Sequence, residues 1–357
     1  VKKVDNAVLW WLRVGLIMVF FQVVIGGITR LTESGLSITK WEVVSGTLPP
    51  ITQADWDREF ELYKDTPQYK EINEAITMEE FKFIYFWEYI HRLWARIMGF
   101  VFLIPFLWFW RQSRLTKTLI KDLGIVVLLA ALAATFGWIM VASGLIERPW
   151  VNAYKLSIHL GIAFCVFSYL LWTTMKYQAG SISPRLVTAE NARYRNILVV
   201  FIIILCFQIV LGGIISGMKA AVLYPSWPSM NGIYLPDVLF DMSQWKLQNF
   251  IDYDKNEFMG ALIHFLHRNN AYILLLTVIS LGWSYIRSNS LDQETKRLAI
   301  VLVVGVLIQM LFGIITVVSS IGKIPVSWGV IHQGMALIVL GISLGILFRL
   351  RYQSNPS

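Results

Sequence analysis

Phe86-Trp87-Glu88-Tyr89-Ile90-His91-Arg92 lies inside an apolar run, Phe83 to Trp110, that is long enough to cross a bilayer. A carboxylate, an imidazole and a guanidinium are costly in hydrocarbon and need partners or a cavity there. Glu88 and His91 are three apart, so on a helix they share one face. Taken alone, the cluster reads as well as polar groups satisfied between packed helices. What decides is whether the rest of the chain repeats it.

Outward from this stretch, eight apolar segments stand out: Val8–Thr29, Phe83–Trp110, Leu123–Leu145, Asn152–Tyr177, Ile197–Gly217, Met259–Tyr285, Leu298–Ile321 and Val326–Phe348. The chain of 357 residues is 56% hydrophobic and only 15% charged, well below the share in soluble domains. The net charge of +8 does not indicate nucleic-acid binding, because the bases cluster in particular loops. Those loops carry Lys2 and Lys3; Arg111, Arg114, Lys117 and Lys121; Lys176, Arg185, Arg193 and Arg195; Arg287, Lys296 and Arg297; and Arg349 and Arg351. By the positive-inside rule, both termini are expected in the cytoplasm. The two long loops, Arg30–Lys82 and Met218–Phe258, are then expected outside, as compact aromatic caps. No cleavable signal or transit segment is visible, and the abrupt start favours a bacterial inner (cytoplasmic) membrane over the mitochondrial inner one. Cys165 and Cys206 fall within apolar segments and are expected as small buried hydrophobes.

The chain is a tandem repeat. Phe21-Gln22-Val23-Val24-Ile25-Gly26-Gly27-Ile28 returns as Phe207-Gln208-Ile209-Val210-Leu211-Gly212-Gly213-Ile214. Phe136-Gly137 returns as Phe312-Gly313, and His91-Arg92 returns as His267-Arg268 at the same offset. Ile158-His159-Leu160-Gly161 returns as Ile331-His332-Gln333-Gly334. The expected fold is therefore an all-α integral membrane protein whose eight transmembrane helices form two tandem, pseudo-symmetric four-helix bundles. The expected division is 1–180, with outer loop 30–82, and 181–357, with outer loop 218–258.

All five histidines fall near the start of an even-numbered helix, so His91, His159, His267 and His332 are expected at similar depth below the outer surface. In each copy one histidine lies on the second helix and one on the fourth. Opposed imidazoles in an apolar bundle suit the two faces of a haem iron. Gly99, Gly161 and Gly334 are candidates for close approach of the ring, and Arg92 and Arg268 for its propionates. Proton relay and metal transport are the other readings of matched membrane histidines. The copies differ at one telling position: Glu88 precedes His91 by three, and His264 precedes His267 by three. Only the first copy has a carboxylate one turn from a candidate ligand. It is available as a proton donor or acceptor or to orient a substrate; holding Arg92 or Arg96 is the structural alternative. His264 is expected to hydrogen-bond in the pocket.

Thr29-Arg30-Leu31-Thr32-Glu33-Ser34-Gly35-Leu36-Ser37, Glu79-Glu80-Phe81-Lys82-Phe83-Ile84, Glu88-Tyr89-Ile90-His91-Arg92 and Gly137-Trp138-Ile139-Met140-Val141 resemble the haem A synthase family over essentially the whole chain. The closest branch is the one shared by mitochondria and many Gram-negative bacteria, without the outer-loop cysteine pair. The resemblance implies oxidation of a ring methyl of haem O to a formyl group, giving haem A for terminal oxidases. It implies haem B as resident cofactor on His267 and His332, and substrate haem O on His91 and His159. It matches Glu88 to a functional carboxylate and assigns no role to His264. Haem O synthase and oxidase assembly factors are the implied partners, with the oligomeric state, a homo-oligomer included, left open. A b-type cytochrome taking electrons from quinol and a haem transporter or chaperone are the rival readings, since fold alone does not set function.

Overall fold

Each long apolar run becomes a helix that extends beyond it at one end or both, because capping residues lie in the polar flanks. The computed structural model describes residues 4–40, 48–146, 149–180, 182–184 and 189–354. Eight helices of 26 residues or more dominate it: α1 Asn6–Leu31, α2 Met78–Arg111, α3 Lys117–Gly144, α4 Ala153–Ala179, α5 Ala189–Gly217, α6 Phe258–Arg287, α7 Gln293–Val318 and α8 Val326–Arg351. Asp5, Thr77, Thr116, Asn152 and Asp292 accept hydrogen bonds from the free N–H groups at the starts of α1, α2, α3, α4 and α7. Thr77 and Glu80 form a reciprocal capping box. This is why α2 begins at Met78 rather than at Phe83.

Seven of the eight are long and apolar enough to cross a membrane, and the molecule is an all-α membrane protein. The exception is α6. It has the length, but His264, His267, Arg268, Asn269 and Asn270 dilute the apolar content of its first half. Outside the helices, Ile182–Pro184 pairs antiparallel with Tyr352–Ser354 in a short ladder. Lys2, Lys3 and Arg185, counted among the basic loops, lie outside the described residues.

The centre is built from α1, α4, α5 and α8. α1 packs on α8 and α4, and α5 packs on α4 and α8. On the periphery, α2 lies against α1, α3 against α4, α6 against α5 and α7 against α8. Sequence-matched helices thus occupy matched places about one axis. The largest apolar core lies toward the face that carries the termini, with Leu12, Leu123, Leu170, Leu198, Phe201 and Leu281 all but fully buried. At the opposite face the long loops fold into two caps. Tyr63, Phe81 and Tyr85 form the centre of the first, and Tyr224, Met230 and Tyr253 that of the second. The histidines sit between core and caps. Cys165 and Cys206, expected in the interior, are both exposed on the outer surface of the helices. In a bilayer that surface is as apolar as the core, so an apolar sequence does not distinguish the two.

Candidate functional site

Four histidines rest on four glycines. A Cβ added at Gly26 would lie 3.0 Å from His91 Nε2, and one at Gly137 3.0 Å from His159 Cε1. In the second copy the distances are 3.3 Å from Gly212 to His267 Cε1 and 2.8 Å from Gly313 to His332 Cε1. The absence of a side chain is what lets each ring settle against the neighbouring helix. These glycines lie inside the repeated blocks, the signal that marks them out. The glycines expected to admit a flat ring behave differently. A Cβ at Gly99 or Gly161 meets nothing within 4 Å, and Gly334 packs on Val24 and Phe20 of α1.

Carbonyls of the supporting helices orient two of the rings. His159 Nδ1 lies 2.8 Å from Ala133 O, and His332 Nδ1 lies 3.0 Å from Gln309 O. Ala133 and Gln309 occupy equivalent places in the two copies. A carbonyl only accepts, so Nδ1 carries the proton and Nε2 keeps its lone pair for a ligand. The other two histidines are held through their backbone. Gln22 Nε2 donates to His91 O at 3.4 Å and Gln208 Nε2 to His267 O at 2.9 Å. One turn on, Trp94 Nε1 donates to Met18 O and Asn270 Nδ2 to Ile204 O, again at matched positions.

The His267 and His332 ring centroids are 6.5 Å apart, with the planes inclined by 70°. Two imidazoles on one iron, with metal–nitrogen bonds of about 2 Å, put their centroids about 6 Å apart. His267 Nδ1 is buried without a hydrogen-bond partner. The pair therefore fits a bis-imidazole iron porphyrin. His91 and His159 are likewise brought within electrostatic reach of each other.

Glu88 is buried on the cap side of His91. Its Oε2 accepts from Ser37 N, Ser37 Oγ and Ile38 N, each at 2.8 Å, and its Oε1 from Arg92 Nη2 at 2.6 Å. Sequence reasoning missed Ser37, although it stands within the family-like block. At the matched position His264 Nε2 meets Arg268 Nη2 at 3.2 Å, and its ring lies 6.0 Å from that of Tyr224. Both arginines reach up to the caps. Arg268 donates to Ser226 O, Pro228 O and Ser229 O, and Arg92 to Ile38 O and Lys40 O. These bonds direct the Nη groups of both arginines, each expected to meet haem propionates, to the cap carbonyls. Arg92 also lines a pocket of about 510 Å³ beneath the first cap, with Lys40, Arg58 and Arg96. Asp55 and Glu59 line it too, but both pair with Arg58, at 3.2 and 3.7 Å. Arg92, itself paired with Glu88, forms with Lys40 and Arg96 the rest of its basic wall.

A family profile described as cytochrome oxidase assembly protein matches residues 9–344. The chain is 37% identical to the heme A synthase of Parvibaculum lavamentivorans over 98% of this chain and 97% of the relative. It is 38% identical to that of Caulobacter sp., over 96% and 95%, and 35% identical to that of Flavobacterium psychrophilum, over 97% and 99%.

Proposed function

The chain belongs to the haem A synthase family, and from that premise we propose how its two halves divide the work. The protein is a membrane oxidoreductase that converts a ring methyl of haem O into the formyl group of haem A, for use in cytochrome oxidase assembly. All eight long helices span the bilayer, as two tandem four-helix bundles, residues 1–180 and 181–357. α6 spans with its polar half turned to the porphyrin site.

The C-terminal bundle holds haem B between His267 and His332. The observation that carries this reading is the spacing and burial of those two rings. When bound, haem B supplies a one-electron redox centre beside the substrate bundle. The chain's part is to fix the ligand nitrogens, through Gln309 O and Gly313 on one side and Gly212 and Gln208 on the other. The N-terminal bundle takes haem O between His91 and His159. Glu88 acts there with Arg92, setting the cap strand at Ser37 and Ile38 over the reacting porphyrin and offering the remaining direction on Oε1 to substrate or water. Propionates turn to the basic wall of Lys40, Arg92 and Arg96. The termini face the cytoplasm in an inner membrane. Haem O arrives from the enzyme that makes it, and haem A passes to the oxidase under assembly.

The rival readings, a quinol-linked cytochrome and a haem carrier, are not favoured by relatives that share one function. Pigment extraction with mass measurement tests the division. Wild-type protein is expected to yield haem B together with haem O, its hydroxylated form or haem A. His267→Ala is expected to lose the low-spin b-type spectrum, while His91→Ala keeps that spectrum and makes no haem A. Haem B as the only pigment of the active wild type, or an unchanged spectrum in His267→Ala, would refute it.

A further inference from the structure

The two copies differ most where their second and third helices should meet. α6 packs along α7, but among the described residues α2 and α3 have no such packing. A Cβ at Gly282 of α6 would lie 2.6 Å from Val303 Cγ2 of α7, so the glycine is what brings those helices together. In the first copy Phe106 stands at the Gly282 position and Val127 at the Val303 position. Phe106 stacks on Phe102, and Val127 is exposed. Next to Phe106, Pro105 replaces the buried Leu281. Proline cannot donate to the carbonyl four residues back. That carbonyl, Val101 O, accepts instead from Trp11 Nε1 of α1 at 3.0 Å, tying α2 to α1. Between Glu88 and Phe109, α2 buries no residue, whereas α6 buries Leu274, Val278 and Leu281 over the matching stretch.

Toward the caps the gap widens into a cleft of about 300 Å³. Ile38 and Arg92 line one wall, and Trp138, Val141 and Ala142 of α3, with Leu145 just past its end, the other. Ile38 and Arg92 also line the basic pocket, so the apolar cleft and the cationic one adjoin.

We propose that the gap between α2 and α3 is the lateral doorway of the N-terminal site. The porphyrin substrate passes through it from the bilayer and rests with its isoprenoid tail against Trp138, Val141 and Ala142 and its carboxylates toward Arg92 and Arg96. This rests on the reading of the N-terminal bundle as the substrate bundle. A tail of that length would crowd a closed four-helix core, but in a slot continuous with lipid it stays in surroundings as apolar as the acyl chains. Two carboxylates need fixed cations, which the adjoining wall supplies. The C-terminal bundle has the same histidines behind a closed α6–α7 pair, and so retains its porphyrin.

The test is a titration of protein carrying haem B in its C-terminal site with haem O and, separately, with tail-less haem B. The signal read is the His91-dependent difference spectrum. Ala142→Trp is expected to raise the Kd for haem O by about tenfold or more and to change that for the tail-less porphyrin by about twofold or less. The b-type spectrum of the C-terminal site is expected to persist, and reports that the variant is folded. Ala142→Leu gives an intermediate effect should the tryptophan fail to fold. Val318→Trp, at the matching position of the closed pair, is expected to leave both affinities unchanged. Unchanged haem O affinity in Ala142→Trp, or an equal loss for both porphyrins, would overturn the doorway. Absence of any His91-dependent binding of haem O to the wild type would overturn the substrate-bundle reading itself and take the doorway with it.

Discussion

At the scale of the residue, the two copies part at Glu88 and His264. A carboxylate gathers several donors, and Glu88 uses both oxygens to hold Ser37, Ile38 and Arg92. A neutral imidazole accepts at only one nitrogen, so His264 cannot clasp a loop in this way. The second cap is instead held by Arg268, which donates to three of its carbonyls. The acid therefore sets the local geometry of the first copy, and on the proposed reading the chemistry open to it. Glu88→Ala removes the acceptor of four donors and leaves Ser37 N and Ile38 N without the partner they have here, at a cost of about 1–3 kcal/mol each where they stay buried. The variant is expected to keep the b-type spectrum and bind porphyrin, while its formyl product falls to about a tenth or less of wild type in pigment extracts, a loss of at least about 1.4 kcal/mol of transition-state stabilisation. A normal yield of haem A would remove Glu88 from the reaction.

At the scale of the element, Asp5 joins the start of α1 to the turn between α2 and α3. It accepts from Ala7 N and Val8 N as the cap, and from Arg114 Nε and Nη2 at 2.6 and 2.7 Å. The Arg114 guanidinium holds its carboxyl well down, at about 2 against an ordinary 3.8. The folded-state value is the lower one, so the stabilisation is complete above the ordinary pKa and is lost as pH falls toward about 2. Asp5→Asn is expected to lower Tm in detergent at neutral pH and to flatten the acid limb between the two values; parallel acid limbs would show that the pair contributes nothing. The apolar runs and the charged breaks between them made the helices legible in the sequence, while caps of this kind, which set the ends, were not read there. Other features were not legible. Whether Cys165 faced core or lipid could not be read, because both surroundings are apolar. The seats at Gly26, Gly137, Gly212 and Gly313 were visible as repeated letters, but their use depends on which helix lies alongside. Phe106 in place of Gly282 acquires meaning only once α7 is seen against α6. The cap carbonyls that Arg268 meets were not legible for a related reason, since nothing in its own helix foretold the loop above it.

At the scale of the whole molecule, duplication gives two similar four-helix units, each with a histidine pair, and the contact between them is specific. Gly27 receives Gln333 of α8, whose Nε2 donates to Val23 O at 2.7 Å, and Gly213 receives Ser157 of α4, whose Oγ donates to Val210 O at 2.8 Å. Each glycine is the neighbour of one that seats a histidine, Gly26 or Gly212. Gln333 directly follows His332, and Ser157 precedes His159 by two, so the joint between the halves runs from one histidine pair to the other. Arg30 adds a third tie, to Ser216 O at 2.8 Å. At Gly217 a Cβ would lie 2.5 Å from Ala153 Cα, a backbone atom that cannot swing aside. Such a joint can assemble without the covalent link near residue 180. Co-expressed segments 1–180 and 181–357 are expected to purify together through a tag on either one, with the b-type spectrum intact. Gly217→Val overpacks the joint by about 1–3 kcal/mol, so recovery of the untagged half is expected to fall by about tenfold, while the tagged C-terminal half keeps its spectrum. If the split pair separates in the absence of that substitution, the halves do not recognise each other and only the covalent link keeps them together. If the C-terminal segment loses its spectrum in every combination, the four-helix bundle is not the unit that holds the porphyrin.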